Sequence, residues 1–169
     1  PDGDGHVVIP TTWTSIPYTA FSDCDGLQSV TIPDSVIEIG EKAFQDCKNL
    51  QSVVIPGSVK NISNKAFHGC SKLVSVTFGN GVEKIDSDAF RDCKSLQSVT
   101  LPDSVTKLGS KAFKYCILLQ FVAIGEGLVE IGVESFDGCG ILESVTMGDS
   151  VIIIRADAFR GCFLLKSVR

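Results

Sequence analysis

Cysteine is the residue type of this 169-residue sequence with the greatest capacity for chemistry, and the chain carries seven cysteines. A cysteine beside a histidine can serve as a nucleophile, and His68-Gly69-Cys70 is the one place where the two types meet in sequence. However, the cysteines recur at a constant interval of 23 residues, and Cys70 is one of seven equivalents. We therefore predict a structural role for all of them, as small buried apolar residues. They are Cys24, Cys47, Cys70, Cys93, Cys116, Cys139 and Cys162.

Disulfides are the second chemistry open to these cysteines. Side chains stacked in register point in parallel, so their Cβ atoms do not converge to the separation of about 3.8 Å that a disulfide needs. The count is also odd. We expect all seven thiols to be reduced, which is compatible with either redox compartment.

No other group of residues predicts a catalytic, metal or cofactor site. The segment Asp2-Gly3-Asp4-Gly5 resembles the start of a calcium loop, but Trp13 stands where that loop needs a glutamate. We expect a frayed, solvated terminus there. No glycine-rich phosphate loop follows a strand. The sequence therefore predicts no metal, no cofactor and no enzymatic activity.

The composition of the chain restricts the classes of partner that it can bind. The net charge of −5 argues against binding to a nucleic-acid backbone. Apolar residues make up 44% of the chain, and no apolar run approaches the ~18 residues of a transmembrane helix. We expect a globular chain with no membrane span, whose partner is another protein.

The secondary structure that positions the cysteines can be predicted from the 23-residue repeat. Every cysteine is preceded by a phenylalanine three residues earlier and followed by a leucine three residues later. A fixed period of this length is the signature of a stacked solenoid. We predict one solenoid over 1–169 with no linker. Its units are 4–26, 27–49, 50–72, 73–95, 96–118, 119–141 and 142–164, with a stub at 165–169.

Each unit predicts one strand and one return path. Ser29 to Ile32 alternates between polar and apolar residues, and Pro33 ends the strand. The nine residues from Val36 to Phe44 are too few for a full helix, so we expect a turn of 3₁₀ or α-helix, or an extended return. Hydroxyls after the strand, as in Ser35, are expected to bond backbone groups across the turn. The predicted core of one coil is Leu27, Val30, Ile32, Val36, Ile39, Ala43, Phe44 and Cys47.

The start Leu-x-x-Val-x-Ile resembles leucine-rich repeats, and the segment Val99-Thr-Leu-Pro-Asp-Ser-Val105 is similar to the BspA-type subclass. The resemblance implies an α/β repeat solenoid: a right-handed coil with a parallel β-sheet on its concave face and short helical or irregular returns on its convex face. It also implies surface proteins of bacteria and protists that bind host or partner proteins. It is the one indication of a cell-surface or extracellular location.

The outward side of the predicted sheet is a candidate binding surface, because leucine-rich solenoids generally bind ligands there. Its side chains are small and uncharged except for Glu143. The alternative is that serine and threonine ladders satisfy one another across strands. The candidate residues are Ser29, Thr31, Ser52, Ser75, Thr77, Ser98 and Thr100.

A second candidate surface lies at the turn from each cysteine into the next strand. Early units are polar there, whereas later units become apolar, and Phe121 interrupts the serine row beside this turn. Exposed contiguous apolar surface marks contact sites. The alternative is that this half packs more tightly. We name this set the apolar edge: Ile117, Leu118, Phe121, Ile141, Phe163 and Leu164.

Two functions remain open from the sequence. The first is a non-catalytic protein-interaction module that binds through the sheet face or the apolar edge. The second is a scaffold or linker subunit of a larger assembly, including a membrane-associated one. The sequence stops inside a strand at Ser167-Val168-Arg169 without a polar cap, so we expect further chain or a neighbouring subunit to cover that end.

Overall fold

The computed structural model describes residues 5–169, so the predicted frayed segment at Asp2 and Asp4 lies outside the described residues. The chain forms a parallel β-solenoid of about seven turns. Paired residues of neighbouring strands differ by 23 in number, for example His6 with Ser29 and Phe121 with Ser144. Each 23-residue repeat of the sequence therefore forms one coil of the solenoid.

The longer strands form the main face. Their inward residues are buried while the outward residues are exposed, as in Ser75–Phe78 and Ser98–Leu101. They pair as two parallel sheets of four strands, β1-β3-β5-β7 and β9-β11-β13-β15. These strands are β1 His6–Val8, β3 Ser29–Thr31, β5 Ser52–Ile55, β7 Ser75–Phe78, β9 Ser98–Leu101, β11 Phe121–Ile124, β13 Ser144–Met147 and β15 Ser167–Val168.

The predicted helical or irregular return is wrong. No helix occurs in residues 5–169, and each return instead contains a two-residue strand. These strands build a second set of parallel ladders, β2-β4-β6-β8-β10 and β12-β14. They are β2 Ser15–Ile16, β4 Glu38–Ile39, β6 Asn61–Ile62, β8 Lys84–Ile85, β10 Lys107–Leu108, β12 Glu130–Ile131 and β14 Ile153–Ile154.

A third ladder of backbone hydrogen bonds explains why the rest of the return is not helical. The amides of Lys42, Phe44 and Asp46 donate to carbonyls of the next coil at 3.0, 2.8 and 2.7 Å. Lys42 and Asp46 have φ values of 57° and 56°, which turn every second amide toward that coil. These amides are committed to the neighbouring coil, so an α-helix cannot use them.

The core is a stack of equivalent side chains, as the sequence predicted. Leu27, Phe44 and Cys47 are fully buried, and so are their equivalents in the following coils through 119–141. Seven phenylalanine rings from Phe21 to Phe159 stack nearly parallel, with centroids 5.1–5.5 Å apart. Ser35 and Ser104 donate to backbone carbonyls of the preceding coil as expected, whereas the buried Ser58 hydroxyl has no partner.

The main sheet is interrupted between β7 and β9, which are not paired. Phe78 stands there at a position that is aliphatic or Met147 in the other coils. Its ring packs edge-on against Phe90, with centroids 5.6 Å apart at 83°. The third ladder continues across the same boundary, where the amides of Asp88 and Phe90 donate to the carbonyls of Ser110 and Ala112. At this point the return-side ladders therefore remain continuous, while on the main face the Gln97 amide still donates to the Val74 carbonyl at 3.2 Å.

Candidate functional site

The thiols are structural donors. Cys70 is fully buried, and its Sγ donates a hydrogen bond to the Phe44 carbonyl of the preceding coil at 3.1 Å. Every cysteine from Cys47 to Cys162 makes the equivalent bond, at 3.0–3.3 Å. All seven cysteines are free in the structure. A carbonyl that accepts a thiol proton explains why cysteine, and not alanine, recurs at this position.

Burial also suppresses nucleophilic chemistry at these cysteines. Desolvation raises the pKa of Cys47 to about 12 and raises the pKa of Cys70 well above its usual value. A nucleophilic cysteine needs a thiolate, which a raised pKa disfavours. The Nε2 atom of His68 lies 3.9 Å from the Asp92 carboxylate. The Cys70 thiol therefore resembles its equivalents and has no feature of an activated nucleophile.

Residues 5–169 contain no cluster of three or more histidine, cysteine or acidic side chains placed to hold a metal ion. Within the same residues, no helix is long and apolar enough to cross a membrane.

The sheet-face candidates lie in two parallel rows on one side of the main sheets. Ser52 pairs with Ser75, and Val54 with Thr77. Within the described chain, the side-chain bonds between neighbouring rungs of this face come from His6, which contacts Ser29 and Thr31 at 2.7 and 3.2 Å. The predicted hydroxyl ladder is otherwise not formed. Ser29 is half-buried and the rest are exposed: Thr31, Ser52, Ser75, Thr77, Ser98 and Thr100.

The apolar edge is a surface feature and not a thickening of the core. Its exposed fractions are 46% for Ile117, 45% for Leu118, 50% for Phe121, 86% for Phe163 and 48% for Leu164, while Ile141 is half-buried. Ile117, Leu118 and Phe121 belong to coils on which further coils stack, so their exposure does not arise at the end of the solenoid. The stacking brings equivalent residues of successive coils to neighbouring places along one edge.

Tyr115 extends this edge, although it was not among the predicted contact residues. It has a φ of 61° at a position that is Asp or Gly in the other coils. The other coils have a similar positive φ at this position, so the aromatic side chain and not the backbone angle is particular to this coil. The ring lies against Gly138, where an added Cβ would approach its Cδ1 to 2.5 Å. The available signal was the replacement of Asp or Gly by an aromatic at one repeat position.

A network of charged side chains, partly buried, contacts the Tyr115 ring. The Lys114 ammonium lies 4.9 Å from the centre of the Tyr115 ring, and it binds Asp137 at 2.8 Å and also Glu134. Arg160 adds two contacts to Asp137, at 3.1 and 3.2 Å. Burial alone would raise the pKa of Asp137, but hydrogen bonds from Lys114 and Arg160 lower it. The network therefore links the three coils that carry the apolar edge.

The model for the BspA type leucine rich repeat region matches six copies over residues 5–120 and 83–169. A search of curated proteins found no match. Among solved structures, a leucine-rich repeat protein from Bacteroides ovatus is similar with 34% identity and a TM-score of 0.89, over 97% of this chain and 45% of that one. The leucine-rich repeat protein of T. pallidum is 31% identical with a TM-score of 0.90, over 96% of this chain and 78% of that one.

A leucine-rich cell surface protein from Faecalibacterium prausnitzii is 31% identical, with a TM-score of 0.57, over 96% of this chain and 52% of that one. The chain thus spans about half the length of two of these three relatives. Proteins of this repeat type are generally non-enzymatic and have interaction or structural roles. The family match, the 23-residue register and these structural relatives show that the chain belongs to the BspA-type leucine-rich repeat family.

Proposed function

We propose that this chain is a non-catalytic protein-interaction module that binds its partner through the apolar edge. The observation that carries the proposal is the exposure of large apolar side chains on consecutive coils at Ile117, Leu118, Phe121, Phe163 and Leu164. We estimate that they present on the order of 500 Å² of apolar surface, at the upper end for a monomer. Aromatic and aliphatic anchors of this kind dominate binding energies at protein interfaces.

The sheet face borders this edge and provides the polar part of the proposed contact. Phe121 belongs to the edge and pairs with Ser98 of the sheet face. The hydroxyls of Ser98 and Thr100 are exposed, and no neighbouring rung satisfies them. An apolar centre flanked by polar groups is the usual anatomy of a protein interface. Alternatively, the sheet face alone is the binding surface.

The test begins with the selection of binders from a random peptide library displayed on phage. Selected peptides are then titrated by fluorescence anisotropy against the wild type and L118S/F163S. V129S/I152S is the matched control, because it also replaces two exposed apolar side chains by serine. Val129 and Ile152 are 45% and 77% exposed, but they lie on the return side. We expect L118S/F163S to weaken binding about 30-fold, as for the loss of a hot spot of ~2 kcal/mol. We expect the control to stay within about twofold of the wild type.

An unchanged affinity of L118S/F163S would refute binding at the edge. If changes of Ser98 and Thr100 to Lys then abolished binding, the sheet face alone would be the site.

A structural subunit of a larger assembly is the second candidate, favoured by the return side of the last coil. Ile152 and Ile153 are 77% and 37% exposed at outward positions that hold polar residues in most other coils. An obligate subunit with this surface should aggregate when isolated, and V129S/I152S should cure the aggregation. A stable monomer by chromatography with light scattering would exclude this candidate.

A further inference from the structure

The apolar edge continues toward the N-terminus as a row of lysines. The two repeat positions after each cysteine hold Lys48, Lys72 and Lys94 in the earlier coils, and all three side chains are exposed. Neighbouring coils lie about 4.8 Å apart, which places Lys94 one coil from Ile117. The edge is therefore one continuous surface with a basic half and an apolar half.

Most of the positive charge in the basic half is free to meet a ligand. The Lys48 ammonium is 3.9 Å from the Asp25 carboxylate, a distant pair whose side chains are 59% and 63% exposed. Lys72 donates to the neutral oxygen of Asn49 at 2.7 Å. Neither Lys72 nor Lys94 forms an ion pair within the part of the chain that the structure describes.

A shallow groove of about 340 Å³ lies between Lys48 and Lys94. Small residues create it, because Gly69 and Ser71 stand where the adjacent coils carry longer side chains. His68 also lines the groove, and its buried Nδ1 has no hydrogen-bond partner. The groove can therefore admit an acceptor oxygen between two ammonium groups.

Two carboxylates also line this groove, and one of them, Asp92, lies beside cationic side chains. The Asp92 carboxylate lies 3.3 Å from Arg91 Nε and 3.9 Å from His68 Nε2. The Asp46 carboxylate accepts a hydrogen bond from Gln45 at 3.0 Å. The two repeat positions after each cysteine, from Asp25 to Ser95, hold three exposed lysines and one aspartate, so this row of the edge is net positive.

We propose that the edge binds an extended segment of a partner protein that is acidic in one half and apolar in the other. The acidic half meets Lys48, Lys72 and Lys94, and the apolar half meets the apolar edge. Five coil steps from Lys48 to Phe163 span about 24 Å, which corresponds to roughly seven residues of extended chain. The inference rests on the proposed function and names the chemistry of its partner.

Charge complementarity favours an acidic and apolar segment over a second copy of the chain or an anionic membrane. A second copy of the chain would have to offer an acidic row next to an apolar one, whereas the described edge holds a lysine row next to its apolar half. An anionic membrane would meet a protein whose net charge is −5. A short acidic and apolar segment satisfies both halves of the edge without those conflicts.

The phage selection described above tests the inference through the sequences it yields. We expect peptides with Asp or Glu in one half and Leu, Ile or Phe in the other. K48E/K94E should weaken their binding about tenfold at low ionic strength, and the difference should shrink as salt screens the charges. K60E/K84E, on the return side of the solenoid, is the control with the same change in net charge and should stay within about twofold of the wild type.

The outcomes separate this inference from the proposed function. If L118S/F163S abolishes binding but K48E/K94E leaves it unchanged, or if the peptides lack acidic residues, the acidic partner is wrong while the edge stands. If neither variant matters, both proposals fall. A dimer in light scattering that L118S/F163S converts to monomer would identify a second copy as the occupant. Co-sedimentation with vesicles of phosphatidylserine and phosphatidylcholine, lost in both variants, would identify a membrane. Either result would overturn the inference.

Discussion

The unfolding free energy of this protein should fall with alkaline pH far more steeply than that of an ordinary globular domain, because its core contains a column of stacked, buried cysteines. Five thiols are fully buried: Cys47, Cys70, Cys93, Cys116 and Cys139. Burial raises the pKa of each of them, to about 12 for Cys47. In the unfolded chain a cysteine titrates near pH 8.5. Above that pH the unfolded chain releases these protons and the folded chain keeps them.

The sign and the size of the effect follow from proton linkage. A group whose folded pKa is raised stabilises the fold below its unfolded pKa, and that stability is lost as the pH rises further. At pH 9.5 each buried thiol costs about 1.4 kcal/mol of unfolding free energy relative to neutral pH. Five such thiols cost about 7 kcal/mol, a large share of the stability of a typical domain.

The assay is urea denaturation followed by circular dichroism at several pH values from 7 to 9.5. The matched variant is C93A, which removes one buried thiol from the middle of the column. Its unfolding free energy is lower at pH 7, but its loss between pH 7 and 9.5 should be about 1.4 kcal/mol smaller than in the wild type. An unfolding free energy that stays flat up to pH 9.5 would refute the reasoning, since it would mean that the thiols can ionise in the folded chain.

Two further perturbations test the core and the charge network. F90A removes a ring stacked between Phe67 and Phe113 and should lower the unfolding free energy by about 3–5 kcal/mol in urea denaturation. Phe159 is half-buried and stacks only on Phe136 in the described chain, so F159A should lower it by less than half as much. Equal losses for the two variants would contradict a continuous stack. K114M leaves the buried Asp137 carboxylate with Arg160 alone and should cost about 1–3 kcal/mol at pH 7. Because the pKa of Asp137 is lowered in the fold, its stabilisation is lost as the pH falls below the ordinary range of aspartate, and K114M should therefore show a weaker acid dependence than the wild type.

The register and core of this fold were predictable because every coil repeats the same constraints. A leucine, a phenylalanine and a cysteine at one interval leave a single way to stack, and the pairing of Phe121 with Ser98 and Ser144 follows directly. Reduced cysteines were predictable for the same reason, since parallel side chains cannot converge.

The choice between a helical turn and an extended return was not predictable, because the backbone of the return has conformations that its residue types do not indicate. Lys42, Lys65 and Lys111 all have positive φ, a region that lysine seldom occupies. The bonds to the next coil impose these angles, which is a tertiary effect absent from local propensity. The nine-residue segment of Val36 to Phe44 was short enough to suit a helical turn, and only the cross-coil bonds decide against it.

The candidate surfaces were predictable in place but not in detail. The exposure of Leu118 and Phe163 follows from their repeat position, where earlier coils carry polar residues. The groove beside His68 and the aromatic Tyr115 arise from differences between neighbouring coils, and such differences become meaningful only once the coils are stacked.

The most direct test of the central claim is the affinity of selected peptides for L118S/F163S compared with V129S/I152S. The account predicts a loss of about 30-fold for the first variant and a change within about twofold for the second. Equal affinities of the two variants would show that the apolar edge is not the contact surface.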